Sequence, residues 1–321
     1  MRIRSLCFFV FLLWVAALCC AQDATLPASS GSSRSDPASS AGSVGPSLDP
    51  LPSAPTTLTQ DQIKQMIQKV ADNDIENDKK QRDYTYTERE VENRLDGKGQ
   101  IKSTETKTYD ILEIYGEPVE RLTQKDDKPL SSKEAAKEDD KIQKIIDKRK
   151  NETGEQRQKR LEKEQKQREE DRQFVHEIDD AYNFTLLGTE LVGGRQAWVI
   201  AAEPRPGFVP RMKDSKYLPK FHGRVWIDKA DLQLAKMDVE CLDTVSWGLF
   251  LARFHKGSRL MLEQTRVNDE VWLPLHLSFK IDARLALLKG INIEGDQTFR
   301  DYKKFRTDTK IVGVSDAGAA K

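Results

Sequence analysis

The chain is poor in the residues that usually announce chemistry. It has four cysteines, and three of them (Cys7, Cys19 and Cys20) lie within the first 20 positions. Beyond that stretch only Cys241 remains, so no internal disulfide can form and stability must come from a hydrophobic core. The four histidines, His176, His222, His255 and His276, fall in neither an HExxH helix nor a cluster of zinc-binding spacing. The Gly-x-Ser-x-Gly elbow, the phosphate loop and the dinucleotide fingerprint are missing. Acidic side chains are plentiful, but no two stand in an apolar context that would separate a pair of carboxylate pKa values. The reading is a binding protein, not an enzyme, with no cofactor and no metal. Nor is there a basic excess, since 52 Lys and Arg balance 52 Asp and Glu. Phosphate neutralisation has no source, which excludes nucleic acid as a partner class.

What is present begins with one long apolar run. Arg2 and Arg4 precede the unbroken stretch 6–18, and small residues follow at Cys20-Ala21. That is the layout of an export signal over residues 1–21, with cleavage after Ala21. The run is shorter than the about 20 apolar residues that a membrane-spanning helix needs. Acylation at Cys19 or Cys20 is the less favoured alternative, because neither has a Leu three positions before it together with a small residue just before it. Residues 22–57 are dominated by Ser, Ala, Pro, Gly and Asp. Such a segment cannot bury enough surface to offset its ordering entropy and is expected to be a disordered tether. The end of the chain, residues 313–321, reads the same way.

Between these lies the folding region, residues 58–312. Ile63, Met66, Ile67 and Val70 share one helical face behind Thr59, which predicts a capped amphipathic helix over 59–77. Strand-like alternation over 83–94 and 100–115 flanks Asp96-Gly-Lys-Gly99, a hairpin turn, and a third strand follows at 119–125. Composition then changes abruptly. From 133 to 172, 26 of 40 residues are charged, 14 basic and 12 acidic. Ser131 and Glu134 form a capping box at its start, and Asn151–Gly154 divides residues 131–182 into two charged helices. Mixed charges at i,i+4 suit a solvated helix. It reads either as an exposed insertion or as an arm, residues 133–182, that grips a protein partner.

Strands resume at 183, turn at Gly193-Gly194, and after a proline-containing loop form a meander over 221–282. A strand, a polar turn and another strand, without helical crossovers, imply an antiparallel sheet. Leu275, Leu277, Phe279 and Ile281 alternate with polar residues, so one face is expected to be buried. Elsewhere large apolar side chains stand on both faces, with Trp226 between Val225 and Ile227 and Trp272 between Val271 and Leu273. This fits either a sheet curved round a cavity or a plain core beneath a helix.

Gly223-Arg-Val-Trp-Ile-Asp228 followed by Leu232-Gln-Leu-Ala-Lys236 resembles the strand pair of the bacterial outer-membrane lipoprotein-sorting proteins, the LolA/LolB-like periplasmic carriers. Gly193-Gly-Arg-Gln-Ala-Trp-Val199, Glu270-Val-Trp-Leu-Pro274 and Asp301-Tyr-Lys-Lys-Phe305 are similar to a longer, divergent branch of that group. The resemblance implies a mainly β, α+β fold: an unclosed antiparallel β-barrel, or half-barrel, with an N-terminal helix and a long charged helical insertion. It also implies a periplasmic carrier that holds lipid or lipoprotein acyl chains in its concave apolar face; a monomer is expected. The residues it nominates for that face are Trp226, Met237, Trp247, Phe250, Phe254, Trp272 and Leu285. The alternative is a non-enzymatic envelope regulatory or assembly factor that uses the helical arm on a protein partner.

Overall fold

The computed structural model describes residues 58–115, 117–247, 252–285 and 289–304. The expected export signal, the expected tether and C-terminal tail, and Phe250 lie outside the described residues.

The first helix, α1 (Gln60–Gln81), starts where the sequence places it. Thr59 accepts from the Gln62 amide and Gln62 returns a side-chain oxygen to the Thr59 amide. It runs one turn past the expected end, because its last residues have long-range partners. Asn77 Nδ2 donates to Trp272 O and Asn77 Oδ1 accepts from Trp272 N, both at 2.8 Å, and Gln81 donates to the same carbonyl. Propensity alone would have let this end fray.

Among the described residues, thirteen strands form one antiparallel sheet. A first meander comprises β1 (Tyr84–Leu95), β2 (Ile101–Ile114), β3 (Glu117–Lys125) and the short β4 (Lys128–Pro129). A second comprises β5 (Tyr182–Val192), β6 (Arg195–Pro204), β7 (Phe221–Asp228), β8 (Leu234–Cys241), β11 (Arg259–Val267), β12 (Val271–Leu285) and β13 (Lys289–Lys304). The small pair β9 (Val245–Trp247) and β10 (Ala252–Phe254) attaches to the end of β12. The spatial order is β4-β3-β2-β1-β13-β12-β11-β8-β7-β6-β5, so the two meanders meet where β1 pairs with β13. The sheet does not close, because β4 and β5 remain its edges.

Helix α1 touches both β5, at one edge, and β12, five positions along the order. A sheet that reaches one helix from two such distant strands must curl round it, and right-handed twist supplies the curvature. On this concave side Ile63, Met66 and Val70 pack among Phe184, Ile200, Phe221, Ile227, Leu277 and Phe299. The product is an unclosed half-barrel with a helix inside.

Helices α2 (Ser132–Lys150) and α3 (Gly154–Ala181) run between the two edge strands. The capping box at Ser131 and the break before Gly154 fall as expected. The charged segment is tethered at both ends. Ile142 is 1% exposed against Ile114 and Val119, while Phe174, Ile178 and Ala181 enter the main core. Between these anchors most of the described side chains are exposed, while half-buried Arg160 pairs with Glu152 and Glu164. The edges are blunted. Glu138 of α2 accepts from the Leu122 amide on β3, and Gln60 of α1 donates to Phe184 O on β5.

Two local expectations are corrected. Leu275 is 38% exposed instead of sharing the buried face. Glu263 pairs with His276 but Gln264 with Pro274, so Leu275 is the extra residue of a β-bulge. The strand expected from Leu232 begins at Leu234, because Leu232 takes φ +49° in a turn held by Asp228, which accepts from the Ala230 and Asp231 amides. Cys241 is the buried thiol expected, with Sγ donating to Asp243 O at 2.9 Å, and burial pushes it up to about 11.

Gly223 on β7 lies so close to β8 that an added Cβ would stand 2.2 Å from the Asp238 carbonyl oxygen. Backbone cannot yield cheaply, so Gly223→Ala is expected to cost about 1–3 kcal/mol in chemical denaturation. Gly97→Ala, whose Cβ meets nothing within 4 Å, should lower stability far less.

Candidate binding surface

Adjacent residues of a strand face opposite sides of the sheet, while directly paired residues on neighbouring strands share a side. Following the register from β6 gives one continuous concave row. Ile200 pairs with Val225, Val225 with Met237, Met237 with Leu262, and Leu262 with Leu277. Ile200 and Leu277 are buried, but Val225, Met237 and Leu262 are only half-buried. The next row holds Val239, Leu260 and Phe279, with the Phe279 ring lying over Gly295, where an added Cβ would meet it at 2.0 Å. Part of the apolar concave wall is therefore left uncovered by α1.

The residues nominated from sequence divide between the two faces. Met237 and Phe254 belong to the concave cluster, Phe254 being 2% exposed. Trp226 and Trp272 do not join them. They sit with Val192, Ala197, Val199 and Ala235 in a separate cluster, and Trp226, between Val225 and Ile227 of the main core, faces away from it. The Trp226 indole N–H donates to Glu190 at 2.6 Å and Lys236 lies over its ring. The Trp272 N–H donates to Asp231 at 3.0 Å beneath the Arg195 guanidinium. Arg195 also forks onto Asp228 at 2.7 and 2.8 Å. Burial opposes ionisation of Asp228, yet Arg195 and two backbone amides hold its carboxyl below the usual range. These tryptophans fill a second core under charged side chains, apart from the cluster that holds Met237 and Phe254. Trp247 ends β9 and Leu285 ends β12, and their side chains lie outside the described residues, as does Phe250.

Farther along, the concave row changes character. Leu277 pairs with Gln297, Gln297 with Glu90, and Glu90 with Lys107. Glu88 faces Phe299 on one side and Tyr109 on the other, and Tyr86 packs on Phe299 and Tyr302 at 6.0 and 5.2 Å. Burial, then Glu120 and then Glu90 raise the Glu88 carboxyl to about 8. Burial and Glu92 raise Glu90. At the hairpin tip the carboxylates have cations, Arg94 on Glu92 at 3.2 Å and Lys107 on Glu105 at 3.0 Å. This polar end was missed from sequence although its sign is plain there: Tyr86, Glu88, Glu90 and Glu92 occupy alternate positions of one strand.

Among the described residues no group of three His, Cys, Asp or Glu is placed to hold a metal ion, and no helix is long and apolar enough to cross a membrane. His222 pairs with Glu203 and His276 with Asp296, on β7 and β12, with β8 and β11 between them. They do not converge.

No protein family and no curated protein matches the chain. Solved structures do. A domain assigned as an outer membrane lipoprotein-sorting protein from Vibrio parahaemolyticus is 15% identical, covering 76% of this chain and 95% of its own, with a TM-score of 0.32. A DUF1329 family protein from Desulfovibrio piger is 10% identical over 76% and 95%, with a TM-score of 0.28. A LolA superfamily protein from Nitrosomonas europaea is 10% identical over 78% and 94%, with a TM-score of 0.24. The first and third of these carry the family name that the sequence motifs suggested. No ligand or residue role is carried over from them.

The raised Glu88 carboxyl gives a signed pH effect. Its unfolded value lies near 4.5 and its folded value at about 8, so between these limits the folded state binds the extra proton. Stability therefore falls as pH rises through that window and levels off above it. Glu88→Gln should flatten this fall, read as a smaller difference in thermal midpoint between pH 5 and pH 9.

Proposed function

We propose that this protein is a periplasmic carrier or chaperone that holds the acyl chain of a lipid or lipoprotein against the concave face of its half-barrel, without covalent chemistry. One observation carries the reading: the half-buried row Val225, Met237 and Leu262, set in a curved apolar wall beside α1. A contiguous apolar strip left partly open in a concavity is the form that a site for an apolar ligand takes. Each buried CH₂ of a chain gains about 0.8 kcal/mol, so modest lengths suffice for useful affinity. The sequence resemblance supplies lipoproteins as the source of the chain. Export through residues 1–21 would place the protein where such cargo travels.

The exposed middle of α3 favours a second reading, in which the charged helices hold a protein partner. The two separate cleanly. Leu262→Ala removes groove surface at a half-buried position and should weaken displacement of a polarity-sensitive fluorescent fatty acid by about tenfold, the factor that 1.4 kcal/mol represents, with the thermal midpoint little changed. Charge reversals at Lys159 and Lys166, exposed on α3, should leave that binding intact. If the native protein displaces no fatty acid and carries no acyl species in native mass spectrometry, the carrier reading fails.

A further inference from the structure

The two edges of the sheet are finished differently. At one, β4 ends in Pro129, which has no N–H to offer, and Lys125 and Lys128 flank the turn before it. Helix α2 covers β3 there, with Glu138 accepting from the Leu122 amide and Ile142 packed on Val119. Proline, lysine and a covering helix are ordinary means of keeping a foreign strand off an edge.

The other edge, β5, is covered only over its first half. Gln60 donates to Phe184 O, and α3 runs directly into Tyr182. Helix α1 then crosses away, since Asn73 donates to Asp231 O and Leu232 O past the end of β7, and Asn77 pairs with Trp272 on β12. Beyond the register shift between Leu186 and Gly188, no hydrogen bond from outside β6 reaches the β5 backbone among the described residues. The direction of the groups left over follows from the register. The Lys229 N–H donates to Gln196 O, so Gln196 turns its backbone groups towards β7 and away from β5. Its partner on β5 is Leu191, which therefore points its own N–H and C=O off the edge, and alternation makes Thr189 do the same. Thr189 pairs with Trp198, which packs on the main core, so Thr189 and Leu191 lie on the concave side. Leu191 is 70% exposed there. Glu190 and Val192 face the second core and are engaged, Glu190 by the Trp226 N–H and Val192 by packing.

This bare stretch belongs to the edge nearer the half-buried apolar row. Val225 on β7 is two strand spacings from β5, about 10 Å, whereas Leu262 on β11 is five from β3, about 24 Å. A ligand that uses both features needs an apolar chain and a backbone. A free lipid has only the first, while an acylated polypeptide has both. We propose that residues 188–192 take an extended stretch of the cargo's own polypeptide as an added strand, so that the cargo is an acylated polypeptide and not a free lipid. The proposal rests on the carrier reading for the acyl chain, but edge and row can be tested apart.

Binding is measured by calorimetry on the full chain with four probes: dodecanoyl-Thr-Val-Thr-Val-amide, the same compound N-methylated at every residue, the peptide without its acyl group, and laurate. N-methylation removes the N–H groups that an added strand needs and keeps the acyl chain and side chains. The acylated peptide should bind about tenfold more tightly than its N-methylated form, a factor within reach of a few net backbone hydrogen bonds. Leu191→Pro should erase that gain and leave laurate binding as it was. Proline is tolerated on an edge strand where the N–H faces outward, so the thermal midpoint should change little. Glu190→Pro, which breaks a bond to β6, should lower it. Equal affinity for the acylated peptide and its N-methylated form overturns the proposal and leaves the carrier reading standing. So does a gain that survives Leu191→Pro. If that variant loses its fold, the N-methylated probe alone decides. Binding of the unacylated peptide that depends on Leu191, with no affinity for laurate, upholds the edge and sinks the acyl-chain reading. If none of the four binds, both fall. A native dimer in sedimentation that Leu191→Pro splits, with no preference for the acylated peptide, gives the edge to a second copy of the chain and overturns the proposal.

Discussion

The structure depends on one helix being held by two distant parts of one sheet. Helix α1 is tied to β5 through Gln60 and Phe184 and to β12 through the reciprocal pair of Asn77 with the Trp272 backbone. Its apolar face, Ile63, Met66 and Val70, supplies the interior around which the strands curl. Without that plug the sheet would expose a long apolar face. With it, the concave side is partly filled, and what is left over is a strip instead of a chamber. The position of the strip, and so any binding it supports, follows from where α1 stops.

The two sides of the sheet solve different problems. The concave side buries aliphatic and aromatic residues against helices. The opposite side has its own small core, two tryptophans over Ala197, Val199 and Ala235, capped by Arg195 and Lys236 and wired to Asp228 and Asp231. Long charged side chains cover apolar rings with their stems while their heads remain solvated. This is why a sheet with grease on both faces needs no helix on the second one.

Local features were easily read from the chain: the caps at Thr59 and Ser131, the turns at Asp96–Gly99 and Gly193-Gly194, the break before Gly154, and the antiparallel order of the meander. Each is written in a few neighbouring residues. What could not be read was which face each tryptophan serves. Trp226 and Trp272 sit among apolar neighbours in sequence, and alternation shows only that they oppose Val225 and Val271. Choosing the side required knowing that α1 returns to β12, a contact of some 195 residues in sequence separation. The bulge at Leu275 was hidden for a similar reason, since an extra residue is visible only against its partner strand. The acidic strip at Glu88 and Glu90 was legible as a pattern. It was passed over because carboxylates on alternate strand positions usually face water, and only the pairing with Phe299 and Gln297 turns them inward.

The seam between β1 and β13 has a consequence for how the chain acquires its shape. Each meander is built from neighbours in sequence and can assemble as it is made. The seam joins residues as far apart as Tyr84 and Lys304, so the entropy of closing that loop is met only after almost everything else exists. Until then β1 offers a bare edge to solvent, and so does β13, which has only β12 beside it. Through that interval two complementary strands stay unpaired, the state most open to capture by chaperones or by another copy of the chain. The last strand delivered is also the one that makes two sheets into one.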